Sequence, residues 1–354
     1  MTIELSIVAV FAVILTAAMT GAVRRLALAR GVIDVPNSRS SHSTATTRGG
    51  GIAIVIVFTV ASIGIAWKAT IRLDTLVALL GGSVPVAIVG FYDDRSGLSP
   101  RLRLTVHLAA ALWALIWLGG MPPVRVGEHL LELGWLGNLV ALLGIVWTLN
   151  LFNYMDGIDG IAASEALFIS CAASGLVVLA GGDHGVAAMG LIFSAACAGF
   201  LVWNWPPAKI FMGDVGSGYL GYVIAILALS ATRANPAAVW VWLILGGAFF
   251  VDATVTLIRR AMLGEALHVA HRSHAYQWLS RKWGSHLLVT SSFAMVNLLW
   301  LFPWALLASL YPRLAALIVM PALIPLGFLA VRCRAGQPEK SQPIHPPTGT
   351  RPSA

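Results

Sequence analysis

Two adjacent carboxylates, Asp93 and Asp94, are the first residues along the chain that could do chemistry. Their like charges repel each other, and a divalent cation shared between them would relieve that repulsion. Acids are also ordinary at the ends of membrane helices, so a solvated helix end explains the pair equally well when it is taken alone. The pair therefore gains meaning only from the acids that follow it.

A second stretch, residues 150–160, carries a polar side chain at every third position, which places those side chains on one face of a helix. Carboxylate and amide oxygens are the hard ligands that Mg²⁺ prefers, while Gly157 and Gly160 let a phosphate or a neighbouring backbone come close. Asn and Asp also cap helices, but four aligned polar groups exceed what capping requires. The candidate residues of this stretch are Asn150, Asn153, Asp156 and Asp159.

Glycine-rich and basic loops provide further groups that could bind a phosphate. Asp214 lies within Phe211-Met-Gly-Asp-Val-Gly-Ser-Gly218, where backbone amides could face a phosphate or the acid could simply cap a helix. Arg48 precedes three glycines. The longest basic loop, residues 259–286, is the predicted recognition loop, because it supplies donors suited to an anionic nucleotide sugar. An ordinary basic loop would explain its arginines but not its histidines. Its candidates are His271, Arg272, His274 and Gln277.

Apolar helices must position these groups. Of 354 residues, 58% are hydrophobic and 11% are charged, whereas a soluble globular domain carries roughly a quarter of charged residues. Apolar segments recur near the length of about 20 residues that crosses a bilayer. The predicted fold class is therefore all-α, a polytopic integral membrane helix bundle of about 11 transmembrane helices. The predicted spans are 4–23, 51–67, 75–91, 104–120, 136–152, 161–180, 185–203, 217–232, 237–258, 287–309 and 313–331.

Basic residues predict the orientation of these spans. Of the 23 Lys and Arg residues, 14 fall in one set of alternate loops, four in the C-terminal tail and five in the opposite loops. The positive-inside rule then places the N-terminus outside and the C-terminus in the cytoplasm. This bias explains the net charge of +8, so no nucleic-acid partner is expected. The acids named above all fall on the predicted cytoplasmic face.

Two domains and one structural acid complete the organisation. Residues 1–332 are predicted to form the membrane-embedded domain, with the first span retained as an anchor, and the proline-rich residues 333–354 a disordered cytoplasmic tail. Asp252 lies inside the ninth span, seven residues before Arg259, and is expected to make a structural ion pair or polar contact. Three scattered cysteines indicate neither a disulfide framework nor a thiolate metal site.

Together, these motifs resemble the polyprenyl-phosphate N-acetylhexosamine-1-phosphate transferases, a family that includes the enzymes starting lipid-linked peptidoglycan and O-antigen synthesis. The resemblance covers most of the chain. The loop that begins at His271 is most similar to the O-antigen-initiating branch of the family. The motifs that carry it are Arg48-Gly-Gly-Gly51, Gly90-Phe-Tyr-Asp-Asp94, residues 150–160, Phe211-Met-Gly-Asp214 and His271-Arg-Ser-His-Ala-Tyr-Gln277.

The resemblance implies a reaction and its partners. An N-acetylhexosamine 1-phosphate would pass from a UDP-N-acetylhexosamine to undecaprenyl phosphate, releasing UMP and initiating a lipid-linked polysaccharide. It implies a multi-pass enzyme of the bacterial inner membrane, embedded in the lipid bilayer, with a cytoplasmic active site; a homodimer is compatible with it. N-acetylfucosamine, N-acetylquinovosamine and N-acetylglucosamine all remain open as the sugar.

The resemblance also implies residue roles. Mg²⁺, with Mn²⁺ as an alternative, would be held by Asp159 and Asp214, and Asp93 or Asp94 would activate the lipid phosphate, with Asp156 as a further catalytic residue. Many members carry a lysine where this chain offers Arg101 and Arg103, which can neutralise a phosphate but cannot exchange a proton near neutral pH. The substrate-binding residues would be Arg48, Arg101, Arg103, Asn150, Asn153, His271, Arg272, His274 and Gln277.

Two other classes of protein share parts of this pattern. The CDP-alcohol phosphatidyltransferases contain a sequence similar to Asp156-Gly-Ile-Asp-Gly160, but they continue with Ala-Arg where Ile161-Ala-Ala-Ser164 follows here. A transporter would also have many spans and scattered ionisable residues. Its substrate site would lie near the bilayer midplane between repeated halves, so the depth of the acids distinguishes the two functions.

Overall fold

The computed structural model describes residues 3–34, 45–66, 71–266 and 271–337, and in these ranges the chain is almost entirely helical. Two short antiparallel pairs, β1 (Ile33–Asp34) with β2 (Thr46–Thr47) and β3 (Val124–Val126) with β4 (His129–Leu131), are the strands. The helices are α1 Ile3–Ala29, α2 Ile52–Ala66, α3 Leu73–Ser96, α4 Pro100–Leu118, α5 Gly134–Met155, α6 Ile161–Leu179, α7 His184–Asn204, α8 Asp214–Ala234, α9 Ala238–Leu245, α10 Gly247–Met262, α11 Ala275–Trp283, α12 His286–Val296, α13 Phe302–Leu310 and α14 Ala315–Arg332.

The predicted polytopic helix bundle is confirmed. In the described ranges, nine helical segments are long and apolar enough to cross a membrane, with α12 and α13 joined through a π-helical turn into one of them. Each of the eleven predicted spans coincides with helical structure, but two of them are not single helices long enough to cross a bilayer. The second predicted span corresponds to α2, whose 15 residues extend about 22 Å, short of the roughly 30 Å hydrocarbon core.

The ninth predicted span is two helices rather than one. α9 ends at Leu245 and α10 begins at Gly247, and their axes are bent by 73° at the intervening Gly246. Glycine lacks a side chain that would stabilise a continuous helix, and breaks of this size are found at glycines as well as prolines. The bend directs α10 so that its far end, Met262, leads into the predicted recognition loop.

Helix α8 is the centre of the bundle. It packs mainly against α3 and α5, and 83% of its apolar stretch is buried inside the protein, the highest share of any span in the described ranges. Because the helix is central, its first residue, Asp214, lies in the middle of one end of the bundle. Residues from several other helix ends and loops can therefore contact it.

The predicted disordered tail is described over residues 333–337 only, and residues 338–354 lie outside the described ranges. Residues 333–337 follow α14 and pack against α10 and the loop that precedes α11. Ala335 is completely buried there. The membrane-embedded part of the chain thus extends its contacts a few residues beyond the predicted boundary at residue 332.

Candidate active site

The first turn of α8 is held by a carboxylate from another helix. Asp94, near the end of α3, accepts hydrogen bonds from the backbone amides of Asp214 at 2.9 Å and Val215 at 3.1 Å. Both amides are among those that an α-helix leaves unpaired at its N-terminus, and a negative charge is favourable there. Asp94 therefore fixes the position of Asp214.

This contact requires a glycine at position 213. Gly213 has a φ of +78°, and a Cβ built on it would stand 2.5 Å from Oδ2 of Asp94. A side chain at this position would be strained by the backbone conformation and would also push Asp94 away from the helix. The glycines of the predicted phosphate loop thus have at least one structural reason to be present.

Two arginines clamp the acids around Asp214. Nε of Arg48 lies 2.8 Å from Oδ1 of Asp94, and its Nη2 lies 2.9 Å from Oδ1 of Asp214. Arg103 approaches Asp93 at 2.5 Å and Asp214 at 3.6 Å through Nη1. Asp93 also accepts the backbone amide of Leu98 at 2.6 Å. Two guanidinium groups thus contact three carboxyl groups, so the acids outnumber the arginines in this cluster.

A cavity of about 200 Å³ opens beside Asp214 and is lined by three of the four residues of the predicted polar face, Asn153, Asp156 and Asp159. Asn153 lines it and donates a hydrogen bond from Nδ2 to Oγ of Ser217, 3.0 Å away in α8. The acidic, amide and basic side chains around the cavity come from loops and helix ends that are distant in sequence but meet at one end of the bundle. They are Asp34, Arg48, Asn153, Asp156, Asp159, Asn204, Asp214, Gln277 and His286.

Asp156, immediately after α5, is the electrostatically unusual acid of this cavity. Burial of its carboxyl group, together with the nearby negative charges of Asp214 and Asp94, raises its pKa well above the usual range. Among the described residues it has no hydrogen-bond or ion-pair partner, whereas the carboxyl groups of Asp94 and Asp214 are each paired with Arg48. An additional positive charge in the cavity would therefore favour the ionised form of Asp156.

Asp159 is held by groups that no motif indicated. Its Oδ1 lies 3.1 Å from Nδ1 of His286, the first residue of α12, and its Oδ2 accepts the backbone amide of Ala208 at 3.0 Å. The hydroxyl of Thr290 donates to its backbone carbonyl at 2.8 Å. His286 lies within the predicted recognition loop, but no individual role was predicted for it. Only the fold brings it next to an acid 127 positions earlier.

The recognition loop is anchored by Asp252. This carboxylate, inside α10, accepts the backbone amides of Ala275 at 2.8 Å and Tyr276 at 3.0 Å, and so caps α11. The predicted structural role of Asp252 is confirmed, although its partners are the start of α11, His274 and Thr256 and not Arg259. Tyr276, completely buried, donates from its hydroxyl to the backbone carbonyl of Tyr154 at 2.9 Å. The loop is thereby fastened to the end of α5.

The structure separates the predicted substrate-binding residues into two groups. Arg48, Asn153 and Gln277 line the cavity, and Arg103 contacts its acids. His274 is 1% exposed and stacks between Tyr154 and His271, and the pKa of His271 is lowered to about 4 by burial and by the neighbouring His274 and Arg260. The residues that do not line the cavity are Arg101, Asn150, His271, Arg272 and His274.

Two members of the second group illustrate why. Asn150 shares the predicted helix face but donates from Nδ2 to the carbonyl of Val146, 2.7 Å away in its own helix. Arg101 is exposed and lies two positions before Arg103, on a part of α4 that does not face the acids. Of the two arginines that could replace the family's lysine, Arg103 is the one that reaches the site.

The donor set of the cavity suits a hard divalent cation, although no group of three or more His, Cys, Asp or Glu side chains in the described ranges is arranged as a complete metal site. Mg²⁺ is usually bound by one or two carboxylates together with water and substrate phosphates, so a complete protein cage is not required. The unpartnered carboxyl group of Asp156 and the excess of acids over arginines are the observations that fit such an ion.

The fold and the cavity define a multi-pass membrane protein with a polar site at one end of its bundle, where arginine and amide side chains could bind phosphate oxygens. Residues 76–232 match the model of glycosyl transferase family 4. A probable undecaprenyl-phosphate N-acetylglucosaminyl 1-phosphate transferase of Bacillus subtilis is 30% identical over 267 residues, which are 74% of this chain and 73% of that protein.

Other relatives extend the same comparison. A phospho-N-acetylmuramoyl-pentapeptide-transferase of Moorella thermoacetica is 32% identical over 64% of this chain and 72% of its own length. A decaprenyl-phosphate N-acetylglucosaminephosphotransferase of Mycobacterium tuberculosis is 28% identical over 92% of this chain and 87% of its own. The chain belongs to glycosyl transferase family 4 and is a membrane transferase. This membership favours the predicted transferase over the carrier and the CDP-alcohol phosphatidyltransferase.

Proposed function

We propose that the protein transfers an N-acetylhexosamine 1-phosphate from a UDP-sugar to undecaprenyl phosphate or a similar polyprenyl phosphate. An oxygen of the lipid phosphate attacks the sugar-linked phosphorus, the bond from that phosphorus to the UMP oxygen breaks, and UMP leaves. The observation that carries the proposal is the cavity in which Asn153, Asp156, Asp159 and Asp214 meet Arg48. The named activities of the relatives support the same reaction.

Mg²⁺ is part of this proposal, with Mn²⁺ as an alternative. When bound, it would neutralise the diphosphate of the donor and polarise the reacting phosphorus. Asp159 and Asp214 are the predicted ligands, and Asp156 joins them because its carboxyl group has no competing partner among the described residues. Asp159 is oriented for this task by His286 and by the amide of Ala208.

The protein's own groups act by positioning and by neutralising charge, which is the main requirement of phosphoryl transfer. Arg48 and Arg103 stand where they can exchange their carboxylate partners for phosphate oxygens. Asp94 has a positioning role because both of its oxygens accept amides of α8. Asp93 uses Oδ2 for Arg103, and this oxygen becomes free when Arg103 turns to a phosphate, so Asp93 is the better candidate for activating the lipid phosphate.

The orientation predicted from the basic residues would put the site at the cytoplasmic face of the bacterial inner membrane. The helix ends and loops that meet at the cavity are the ones that the basic residues assign to the cytoplasm. The product would initiate a lipid-linked polysaccharide of the O-antigen type, since the recognition loop resembles that branch. N-acetylfucosamine, N-acetylquinovosamine and N-acetylglucosamine are the candidate sugars.

Release of UMP tests the proposal. Purified protein would be given undecaprenyl phosphate and each UDP-N-acetylhexosamine, with and without Mg²⁺, beside an Asp214→Asn variant. We expect release that requires both lipid and metal and that is lost in the variant. If folded protein released no UMP from any of these sugars, the proposed reaction would be wrong, and the spectrum of sugars accepted would otherwise identify the donor.

A further inference from the structure

The chain after α14 makes specific contacts at the recognition loop. Residues 333–337, the C-terminal strap, lie against α10 and residues 271–274. The amide of Gly336 donates to the carbonyl of Ser273 at 2.7 Å, and Nη1 of Arg259 donates to the carbonyl of Ala335 at 2.6 Å. Ala335 is completely buried and Cys333 is 7% exposed. Cys333, Ala335 and Gly336 are thus buried against the bundle, although they follow the last span, while Arg334 and Gln337 are exposed.

Gly336 is needed for this path. Its φ is +76°, and a Cβ built on it would lie 2.7 Å from Cβ of Arg259 and 2.8 Å from the carbonyl oxygen of Thr256. Both atoms belong to the rigid helix α10, so they cannot move aside cheaply. Any side chain at this position would force the strap away from Ser273.

Ser273 lies four positions before Gln277, the residue of this segment that lines the cavity. His274 precedes α11, whose first amides are capped by Asp252, and the next turn brings Gln277 to the cavity. The side chain of Gln277 accepts the amide of His274 at 3.3 Å, so the position of the amide group in the cavity depends on the residue that follows Ser273. A shift of Ser273 would therefore be transmitted to the cavity wall.

We propose that the C-terminal strap is a positioning element for donor recognition. By holding Ser273, it fixes the start of α11 and keeps Gln277 at the cavity, where the neighbouring Gly157 and Asp156 lie. The inference rests on the proposed function, because it assigns the strap to the nucleotide-sugar side of that same site. The strap touches no substrate, so its loss should change the KM of the donor more than kcat.

The test compares Gly336→Ala with Gly119→Ala. Gly119, which follows α4 outside the recognition loop, has the same φ, +76°, but nothing lies within 4 Å of a Cβ built on it. Both variants therefore pay the same backbone cost, and only the first displaces the strap. Arg259→Met, which removes the hydrogen bond to Ala335 but keeps most of the side-chain bulk, is a milder second perturbation.

We expect Gly336→Ala to raise the KM of the UDP-sugar about tenfold, the change that follows from losing one buried hydrogen bond and its alignment. Arg259→Met should shift it in the same direction, and Gly119→Ala should stay within about twofold of wild type. The KM for undecaprenyl phosphate should be unaffected. Equal donor KM values in Gly336→Ala and wild type, or equal increases in the two glycine variants, would overturn the proposal.

Hydrogen exchange separates this inference from the proposed function. Backbone amides of residues 276–283 should exchange faster in Gly336→Ala than in Gly119→Ala, whatever the substrate is. If the wild type used no UDP-sugar but this difference were present, the strap would still hold α11 and only the proposed reaction would fail. Unchanged exchange in Gly336→Ala would contradict the inference that the C-terminal strap holds the start of α11.

Discussion

Replacing Asp94 with asparagine should uncouple the start of α8 from α3. The carboxylate uses Oδ1 for the amide of Asp214 and Oδ2 for the amide of Val215. An asparagine offers a single acceptor oxygen, so one of these bonds is lost and an NH₂ group faces a backbone N–H. The ion pair between Asp94 and Arg48 is lost as well.

The size of the effect follows from these contacts. A hydrogen bond to a charged acceptor contributes roughly 1.5–3 kcal/mol, and the partly exposed Arg48 limits its ion pair to at most about 1 kcal/mol. We therefore expect the free energy of unfolding to fall by about 2–3 kcal/mol. UMP release should fall at least about tenfold, because losing the Asp94 contacts shifts Asp214 away from its position in the site. Asp94 itself contacts no reacting atom, so this loss would come from positioning alone.

Asp183→Asn is the matched control. Asp183 caps α7 in the same way, but its Oδ1 alone accepts both amides, from Gly185 at 2.7 Å and Val186 at 3.1 Å. Asparagine keeps that oxygen and is an equally good cap. The 21 residues of α7 place Asp183 about 30 Å from the cavity. Tryptophan fluorescence during unfolding in detergent, with UMP release, measures both effects. Wild-type turnover in a folded Asp94→Asn protein would refute the positioning role.

Further predictions concern single contacts of the site. Gly157→Ala places a Cβ 2.1 Å from the hydroxyl oxygen of Tyr276 and should raise the donor KM; Tyr276→Phe should restore it in the double variant, and a failure to do so would locate the effect elsewhere. His286→Ala should lower turnover about tenfold by releasing Asp159, and His286→Asn should recover part of it in the same UMP assay. Because the pKa of Asp156 is raised in the folded state, stability without Mg²⁺ should fall as pH rises through that pKa, and Asp156→Asn should flatten the profile in thermal unfolding.

The helices were predictable because lipid imposes a simple length rule on apolar segments. The length rule did not predict a helix break that lies inside a continuous apolar segment. Gly246 and Gly247 break the ninth span into α9 and α10 inside an uninterrupted apolar run, and no polar residue marks that break. The second predicted span, 51–67, by contrast agrees with α2, Ile52–Ala66, to within one residue over the described part of that segment.

The site was predictable only as far as local periodicity reaches. Spacing correctly grouped Asn153, Asp156 and Asp159, but it also included Asn150, which bonds within its own helix. The positioning role of Asp94 depends on a contact with α8 more than a hundred residues away, which no local pattern encodes.

The arrangement of Arg48, Asp94 and Asp214 also has a consequence for biosynthesis. The three residues come from the entrance of α2, the end of α3 and the start of α8, and Asp214 follows Arg48 by 166 positions. While the chain emerges from the ribosome, Arg48 and Asp94 can meet long before α8 is inserted. The cluster of Arg48, Asp94 and Asp214 is therefore completed late in membrane integration. A chain interrupted before α8 would contain Arg48 and Asp94 but not the carboxyl group of Asp214 that Arg48 contacts.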